Sequence, residues 1–394
     1  MEKKNGLKMI KLYFIYTLVV LFSLVINAAE QDSNELELST IADLSHVALK
    51  NDNWHTVLPI PGNNEHYFIA TSTGNVYQIN QHDISPSPFF ELKSALNTTE
   101  NITLTAITLD PNFNYRERDG YHTFYTAHTE QSKKTKSKLS PKHSELNPSY
   151  DAVIMRWQLT YAVNQRPEVM RNAINHEQEH IQQLSFNPYI EPWHNDFGLL
   201  FIALAKSENL ANEALYAGTI LRIRPKAYGA RSYTTPVNNP FSKQDDILNE
   251  IVFIAGQEII HFNWMKKGNY NFLIQLNHQN SHLLVKAKIG DDWRKSMPAA
   301  QIKQRLASVN SPSKTFLYHG RELKNLWGKV LHLQTTADSW QLQASPLFPE
   351  LSNDESYEHS PHNLGRYSMS KQAKFSLHQR HDGELLLLEH NNQR

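Results

Sequence analysis

The densest group of possible metal ligands is the segment His176-Glu177-Gln178-Glu179-His180, which satisfies the H-E-x-x-H pattern. On a helix, its two histidines would share one face and could bind zinc, with Glu177 as the base. The pattern is flanked by polar residues, Pro188 follows soon after, and no third ligand motif accompanies it. We therefore expect a polar loop before a strand, with a zinc protease as an alternative.

Composition excludes several other chemistries. The 394 residues contain no cysteine, so disulfides, thiolate zinc sites, iron–sulfur clusters and thiol catalysis are all excluded. The 39 Lys and Arg residues balance 39 Asp and Glu residues, which argues against nucleic acid as the main partner. The chain has no serine nucleophile elbow, P-loop or dinucleotide fingerprint. The 20 histidines are the groups best suited to titrate near neutral pH.

The N-terminal segment has the pattern of an export signal. Four lysines precede an apolar run from Leu12 to Ile26, and Ala28 and Ala29 follow it. We expect residues 1–29 to be a signal peptide and residues 30–53 a lead-in, with a periplasmic or secreted mature protein. The run is shorter than the roughly 20 residues of a membrane span, so membrane attachment is expected only if this segment stays uncleaved.

Short β-type segments separated by Pro-, Gly- and Asn-rich turns dominate residues 54–394, for example Leu104–Leu109 and Ile251–Ala255. The best helical periodicity lies in Pro298–Val309, which predicts one helix. Many short strands without alternating helices predict a closed all-β architecture. At four strands per blade, the length suits one six-bladed β-propeller domain.

The most specific motif combines Gly218-Thr219-Ile220-Leu221-Arg222-Ile223-Arg224-Pro225 with Tyr233-Thr234-Thr235-Pro236-Val237-Asn238-Asn239-Pro240-Phe241. It resembles the G-K-I-L-R-I-D-P … Y-x-I-P-x-D-N-P-F signature of the soluble quinoprotein glucose/sorbosone dehydrogenases. Weaker matches follow in the expected order, including Ser72–Tyr77, Asp110–Phe113, Tyr318–Leu333 and Asp382–Leu385. The resemblance covers about residues 54 to 390. It implies a six-bladed propeller that oxidises a sugar hydroxyl by hydride transfer to pyrroloquinoline quinone (PQQ).

The resemblance also implies a catalytic histidine in an H-x-G-G-x-[LI]-x-F-G-P motif, which corresponds to residues 179–188. Counting back from the motif's end places Glu179 on the histidine position, and a slip of one residue places His180 there. We take His180 as the candidate general base, because imidazole titrates near working pH. Bulky residues replace both glycines of the motif, namely Ile181-Gln182 or Gln182-Gln183.

The cofactor contacts implied by the resemblance are Asn101 and Gln257. Gln257 lies in Gly256-Gln257-Glu258, which matches a G-x-R-N-P motif and carries Glu258 in place of the arginine. A carboxylate at that position would repel a tricarboxylate cofactor. Calcium usually accompanies PQQ in this family, but a solvated turn explains the acidic cluster Asp245, Asp246 and Glu250 equally well, so we assign no metal ligand.

Two functions follow from these observations. The first is a quinoprotein sugar dehydrogenase-like enzyme that uses PQQ, with calcium, on a small sugar substrate. The second is a catalytically degenerate propeller that binds a carbohydrate or protein partner without redox chemistry. A cationic group beside His180 would favour the first function, whereas a pocket lined by Glu258 and glutamines would favour the second.

Overall fold

The structure, a computed structural model, describes residues 41–44, 47, 52–80, 83–132, 150–159, 168–174, 177–206, 216–266, 271–278, 281–298, 302–307, 314–335, 340–347, 362–367 and 374–390. The predicted signal peptide, residues 1–29, lies outside these ranges. None of the helices within them is long and apolar enough to cross a bilayer.

The strands form consecutive antiparallel sheets, which we call blades 1 to 5, and a closing hairpin. Blade 1 contains β1 (Trp54–Ile60), β2 (Asn63–Thr71), β3 (Asn75–Asn80), β4 (Asp83–Ile84) and β5 (Phe90–Glu91). Blade 2 contains β6 (Thr103–Leu109), β7 (Thr123–Gln131), β8 (Tyr150–Gln158) and β9 (Glu168–Ile174). Blade 3 contains β10 (Ile181–Phe186), β11 (Leu200–Leu204), β12 (Thr219–Ile223) and β13 (Ile251–Ile254).

Blade 4 contains β14 (Ile259–Trp264), β15 (Asn271–His278), β16 (Ser281–Lys288) and β17 (Ile302–Ala307). Blade 5 contains β18 (Phe316–Leu317), β19 (Lys329–Thr335), β20 (Trp340–Pro346) and β21 (His362–Tyr367). The closing hairpin consists of β22 (Lys374–Gln379) and β23 (Leu385–His390). The described ranges also contain a short helix, α1 (Leu92–Leu96), and 3₁₀ helices at Glu177–Glu179 and Lys324–Leu326.

The prediction of six blades is wrong, because the described residues form a five-bladed propeller and a two-stranded hairpin. The assumption of four strands per blade fails at both ends of the chain. Blade 1 has five strands, whereas the last described segment, 374–390, has only two. The hairpin lies between blades 5 and 1. Its Phe375 and Leu377 pack against blade 5, and its Leu386 and Leu388 pack against blade 1.

The helix predicted over residues 298–309 is also wrong in its described part, since residues 299–301, 308 and 309 lie outside the described ranges. Residues Ile302–Ala307 form β17, which pairs with β16 from Ser281↔Ala307 to Val285↔Ile302. The apolar spacing of four and three residues is a weak local signal, and the backbone partners that β16 offers outweigh it.

The inner strands of the blades run in the same direction. Gln183 of β10 lies beside Phe262 of β14, and two residues further along both strands the Trp264 indole donates to Ser185 Oγ at 2.9 Å. We call the face where the inner strands β1, β6, β10, β14, β18 and β22 begin the top face. The bottom face carries the loops that follow these strands. Residues 101, 180 and 257 all lie just before an inner strand, so the fold places the predicted site residues on the top face.

Buried side chains of both sheet faces hold the blades together. All five residues of β11 are buried, because the strand is central in blade 3 and packs against a neighbour on each side. Side-chain amides add specific links between blades. Asn263 of β14 donates to Thr315 O at 2.7 Å, and Gln379 of β22 donates to Leu317 O at 2.9 Å. The propeller thus presents a fixed ring of strand ends at its top face.

Candidate functional site

His180 lies at the top of blade 3, directly before β10. The preceding 3₁₀ helix Glu177–Glu179 ends at it, and Ala205 N–H donates to His180 O at 3.0 Å. The imidazole is half-buried, whereas the Glu179 side chain is buried with only 1% exposed. Of the two residues that the motif could place at the histidine position, only His180 keeps access to solvent.

Both ring nitrogens of His180 have local partners. Nδ1 lies 2.9 Å from Glu177 O, and Nε2 lies 2.8 Å from Gln182 Oε1. A neutral imidazole can donate from Nδ1 to the carbonyl, and its Nε2 can then accept from Gln182 if the amide is turned so that its NH₂ faces the ring. In this arrangement the Nε2 lone pair, which a general base would use, already accepts a hydrogen bond from Gln182.

Gln257 lies close to the same loops. Lys206, which follows β11, donates from Nζ to Gly256 O at 3.0 Å. Gly218 has φ of +65°, and a Cβ at this position would lie 2.7 Å from Gln257 O. Glycine is required there because the chain before β12 passes so near the Gln257 backbone. The loops carrying His180 and Gln257 thus meet around the Ala205–Lys206 segment.

Asn101 is on the neighbouring blade, two residues before β6. It is exposed, and its Oδ1 lies 3.5 Å from Lys93 Nζ. Leu104 N–H donates to Ser72 O and Ser72 N–H to Asn53 O, so the starts of β1 and β6 lie side by side. The fold places Asn101 on the top face with His180 and Gln257, but the described contacts do not join it to them. The cofactor roles of Asn101 and Gln257 and the catalytic role of His180 stay predictions.

The replaced glycines and arginine have structural partners of their own. Gln183 spans to blade 4, where its amide donates to Phe262 O at 3.0 Å and accepts Phe262 N–H at 2.9 Å. Glu258 accepts from Asn277 Nδ2 at 2.9 Å, and Glu258 O accepts Asn277 N–H. These residues therefore join strands in positions where the resembled family has cofactor-facing groups.

Several buried polar atoms at the top of the inner strands make no hydrogen bond within the described residues: Thr105 Oγ1, Gln257 Oε1, His261 Nδ1 and Thr315 Oγ1. His261 also packs its ring against Phe316 of blade 5. Unpartnered buried polar groups are rare in folded proteins, and ones that lie at the mouth of a pocket can bind a polar ligand. Other such atoms occur elsewhere in the described residues, so these four mark a candidate site only together with the neighbouring cation described next.

Lys314 is the cation that sequence reasoning missed. It is half-buried and directly precedes Thr315 at the top of blade 5. Burial lowers its pKa, and none of the described carboxylates offsets that effect. Burial and the Lys314 ammonium together hold the pKa of His261 well below its usual range, so this imidazole is neutral. No motif marks Lys314, and only the pairing of blades 4 and 5 brings it beside His261.

The alternative metal sites find no support in the described residues. His176 lies outside them, and Glu177–Glu179 form a 3₁₀ turn rather than the α-helix that an H-E-x-x-H zinc site requires. Within the described ranges, no group of three or more His, Asp or Glu side chains is arranged so that it could hold a metal ion. Asp245 and Asp246 are exposed, and Glu250 accepts a hydrogen bond from Tyr233 on the bottom face.

Comparison with known proteins shows the fold. No protein-family model matches the chain, and neither does any curated protein sequence. Among solved structures, the soluble aldose sugar dehydrogenase from Escherichia coli, in its apo-form, is similar over 89% of this chain and 95% of its own, with 12% identity and a TM-score of 0.58. A glucose dehydrogenase matches over 86% and 95% at 12% identity and a TM-score of 0.57.

An oxidoreductase from Thermus thermophilus, described as a glucose dehydrogenase, matches over 87% of this chain and 91% of its own, with 12% identity and a TM-score of 0.52. The resemblance inferred from the order of motifs is therefore confirmed in the fold. At this level of identity the likeness does not assign residues to roles.

Proposed function

We propose that the chain is a sugar dehydrogenase-like propeller whose ligand binds at the top face. The observation that carries the proposal is Lys314, a cation without a described carboxylate partner, beside buried polar atoms of His261 and Thr315 that lack hydrogen-bond partners. A cation without a carboxylate partner, beside buried polar atoms without hydrogen bonds, favours binding of a ligand that carries oxygen atoms and negative charge. Solved sugar dehydrogenases share the fold.

The residues present fit PQQ in donor type, and Lys314 supplies one positive charge, although Glu258 stands where the resembled motif has an arginine. The Lys314 ammonium would pair with a carboxylate of the cofactor, and the Thr105 and Thr315 hydroxyls would donate to its oxygens. Gln257 and Asn101 would contribute amide groups. When bound, PQQ would supply the redox chemistry by accepting a hydride from the sugar. His180 would take the hydroxyl proton at Nε2 once Gln182 turns away, and the sugar would lie against this face.

Calcium is a weaker part of the proposal. No described cluster of acidic side chains would surround it, so backbone carbonyls and the cofactor's own oxygens would provide most ligands. We also propose that the protein acts in the periplasm or after secretion, as the N-terminal signal pattern indicates. Cell fractionation with an antibody to the mature chain would test that placement.

A second function, carbohydrate binding without redox chemistry, is favoured by one specific arrangement. The Nε2 atom of His180 is held at 2.8 Å by Gln182, and Glu258 occupies the motif position of the cofactor-binding arginine. If Gln182 keeps this position with ligand bound, the base stays blocked while the pocket stays polar.

The test is reconstitution of the purified protein with PQQ and calcium, followed by a dye-linked assay on a panel of aldoses. We expect dye reduction that requires PQQ and falls at least tenfold in His180→Ala, with His194→Ala as the matched control on the exposed bottom-face loop. PQQ and sugar binding without dye reduction would support the second function. Absence of PQQ binding and of dye reduction would refute the enzyme proposal.

A further inference from the structure

The strongest sequence motif builds a cleft far from the proposed redox site. The cleft has a volume of about 750 Å³ and lies in the long loop between β12 and β13. Its lining includes Arg231, Ser232, Tyr233, Thr234, Thr235 and Glu250. Small-molecule sites have about 300–1,000 Å³, so the cleft is large enough for a sugar.

The cleft is on the bottom face. Strand β12 begins beside Gly218, which contacts the Gln257 loop of the top face, and it ends at Ile223. The loop that follows therefore lies at the other end of blade 3 from His180. A ligand in this cleft would therefore be distant from Lys314, which lies on the top face.

The motif residues hold the walls of the cleft in place. Asn239 Nδ2 donates to Asn249 O at 2.7 Å and to Arg222 O at 3.1 Å. Arg222 N–H donates to Glu250 O at 2.8 Å, which fixes the wall that carries the Glu250 carboxylate. The opposite wall is tied to blade 2 by the Ser232 hydroxyl, which donates to Val169 O at 2.7 Å. The backbone is thus arranged before any ligand binds, which lowers the entropic cost of binding.

The lining carries groups suited to hydroxyl recognition. Tyr233 donates its hydroxyl to Glu250 Oε1 at 2.9 Å, and burial and the Glu250 charge raise the Tyr233 pKa, so it stays a donor. The side chains of Arg231, Thr234 and Thr235 make no hydrogen bond to any other described residue. One arginine and one glutamate leave the lining without net charge.

We propose that this cleft binds a neutral carbohydrate. The Glu250 carboxylate would accept hydrogen bonds from sugar hydroxyls, while Thr234, Thr235 and Arg231 would donate to sugar oxygens. The half-buried Tyr233 ring offers an apolar surface to the C–H face of the sugar. An anionic ligand is disfavoured by Glu250 and a cationic one by Arg231. The site would be a second carbohydrate site, independent of the top face and of the proposed function.

The test measures binding of D-glucose, maltose and cellobiose to the full chain without PQQ, by ligand-observed NMR and calorimetry. We expect saturable binding of at least one sugar. Glu250→Gln should weaken it about tenfold or more, and Tyr233→Phe about fivefold, because they remove hydrogen-bonding groups. The matched controls are Glu191→Gln and Tyr228→Phe, exposed residues outside the cleft lining, which should leave the affinity unchanged.

Should Glu250→Gln fail to fold, Thr234→Ala and Thr235→Ala take its place, since their hydroxyls bond to no other described residue. Loss of affinity in these variants with an unchanged melting temperature would support the proposal. It is overturned if none of the three sugars binds, or if cleft variants and control variants bind equally well. Because the substituted residues lie at the other end of blade 3 from His180, either result is independent of whether PQQ binds at the top face.

Discussion

The side-chain amide of Gln183 pairs with both backbone groups of Phe262: its NH₂ donates to Phe262 O at 3.0 Å and its oxygen accepts Phe262 N–H at 2.9 Å. This pair joins the inner strands of blades 3 and 4. In one register of the histidine motif, Gln183 stands where the resembled family has a glycine. A position that would admit a ligand in that family is used here to connect two blades.

Replacing Gln183 by glycine should therefore destabilise the protein rather than restore a cofactor site. The change leaves the N–H and C=O of Phe262 without their partner. Each buried polar group left unpaired typically lowers the free energy of unfolding by about 1–3 kcal/mol. We expect a lower melting temperature by calorimetry. Gln182→Ala is the control, because the Gln182 side chain contacts His180 rather than a neighbouring blade. An unchanged melting temperature in Gln183→Gly would show that the pair does not stabilise the blades.

The β-propeller class was predictable because short strands and turn residues leave a local signal at each step. Leu104–Leu109 and Ile251–Ala255 were recognised as strands from their apolar residues, and β6 and β13 lie there. Blade number was not predictable, since the five strands of blade 1 and the two-stranded hairpin depend on which edges find partners. For the same reason Ile302–Ala307 forms a strand despite its helical spacing.

The candidate site was only partly predictable. The residues named from motifs, His180, Gln257 and Asn101, do lie at the starts of inner strands on one face. Lys314 has no motif, and it becomes a neighbour of His261 only when blade 5 packs on blade 4. Long-range packing of this kind leaves no pattern in either segment alone.

Asn238→Asp should stabilise the protein. Arg222 has 0% exposure, donates to Asn238 Oδ1 at 2.8 Å and to Asn239 Oδ1 at 2.6 Å, and burial lowers its pKa. A carboxylate at 238, the residue of the resembled motif, would form a charge-assisted bond of nearly the same shape. We expect a melting temperature higher by a few degrees.

The matched control is Asn239→Asp, which should destabilise, because Asn239 Nδ2 donates to the backbone carbonyls of Arg222, Asn249 and Glu250, which a carboxylate would repel. Equal effects of the two substitutions would contradict this description of the Arg222 environment.

Asp110 should make stability fall as the pH rises. Burial raises its pKa from 3.8 to about 6, although Asn112 N–H and the Tyr125 hydroxyl hydrogen-bond to it. Between these two values the folded state binds the extra proton, so unfolding becomes easier as the pH increases through the window. The asparagine of Asp110→Asn resembles the protonated carboxylic acid but does not titrate, so the stability of this variant lacks the pH dependence that Asp110 causes.

Chemical denaturation measures the free energy of unfolding of Asp110→Asn and of the wild type at pH 4 and at pH 7. From pH 4 to pH 7, the difference between variant and wild type should shift by about 2–3 kcal/mol in favour of the variant. Asp119→Asn is the control, since Lys226 holds the pKa of Asp119 low and outside this window. If Asp119→Asn showed the same shift in stability relative to the wild type, the raised pKa of Asp110 would be disproved.

Glu384 anchors the closing hairpin to blade 5. It is buried and accepts from the Tyr318 hydroxyl at 2.6 Å, from Arg321 N–H at 2.5 Å and from Glu322 N–H at 3.0 Å. Glutamine offers one acceptor oxygen and turns an NH₂ toward these donors. We expect Glu384→Gln to lower the free energy of unfolding by about 1–3 kcal/mol.

The exposed Glu389 on β23 provides the control substitution, Glu389→Gln, which should change little. Protease digestion under native conditions should show faster cleavage near the hairpin in Glu384→Gln only. Equal cleavage rates in the two variants would argue against this anchor.

The most direct test of the central claim is a titration of the purified protein with PQQ in the presence of calcium, followed by tryptophan fluorescence and calorimetry. We predict saturable binding that Lys314→Ala weakens by at least tenfold, whereas Lys266→Ala, which removes an exposed lysine, leaves it unchanged. Absence of saturable binding in the wild type, or equal binding by the two lysine variants, would contradict the assignment of the top face as a PQQ site.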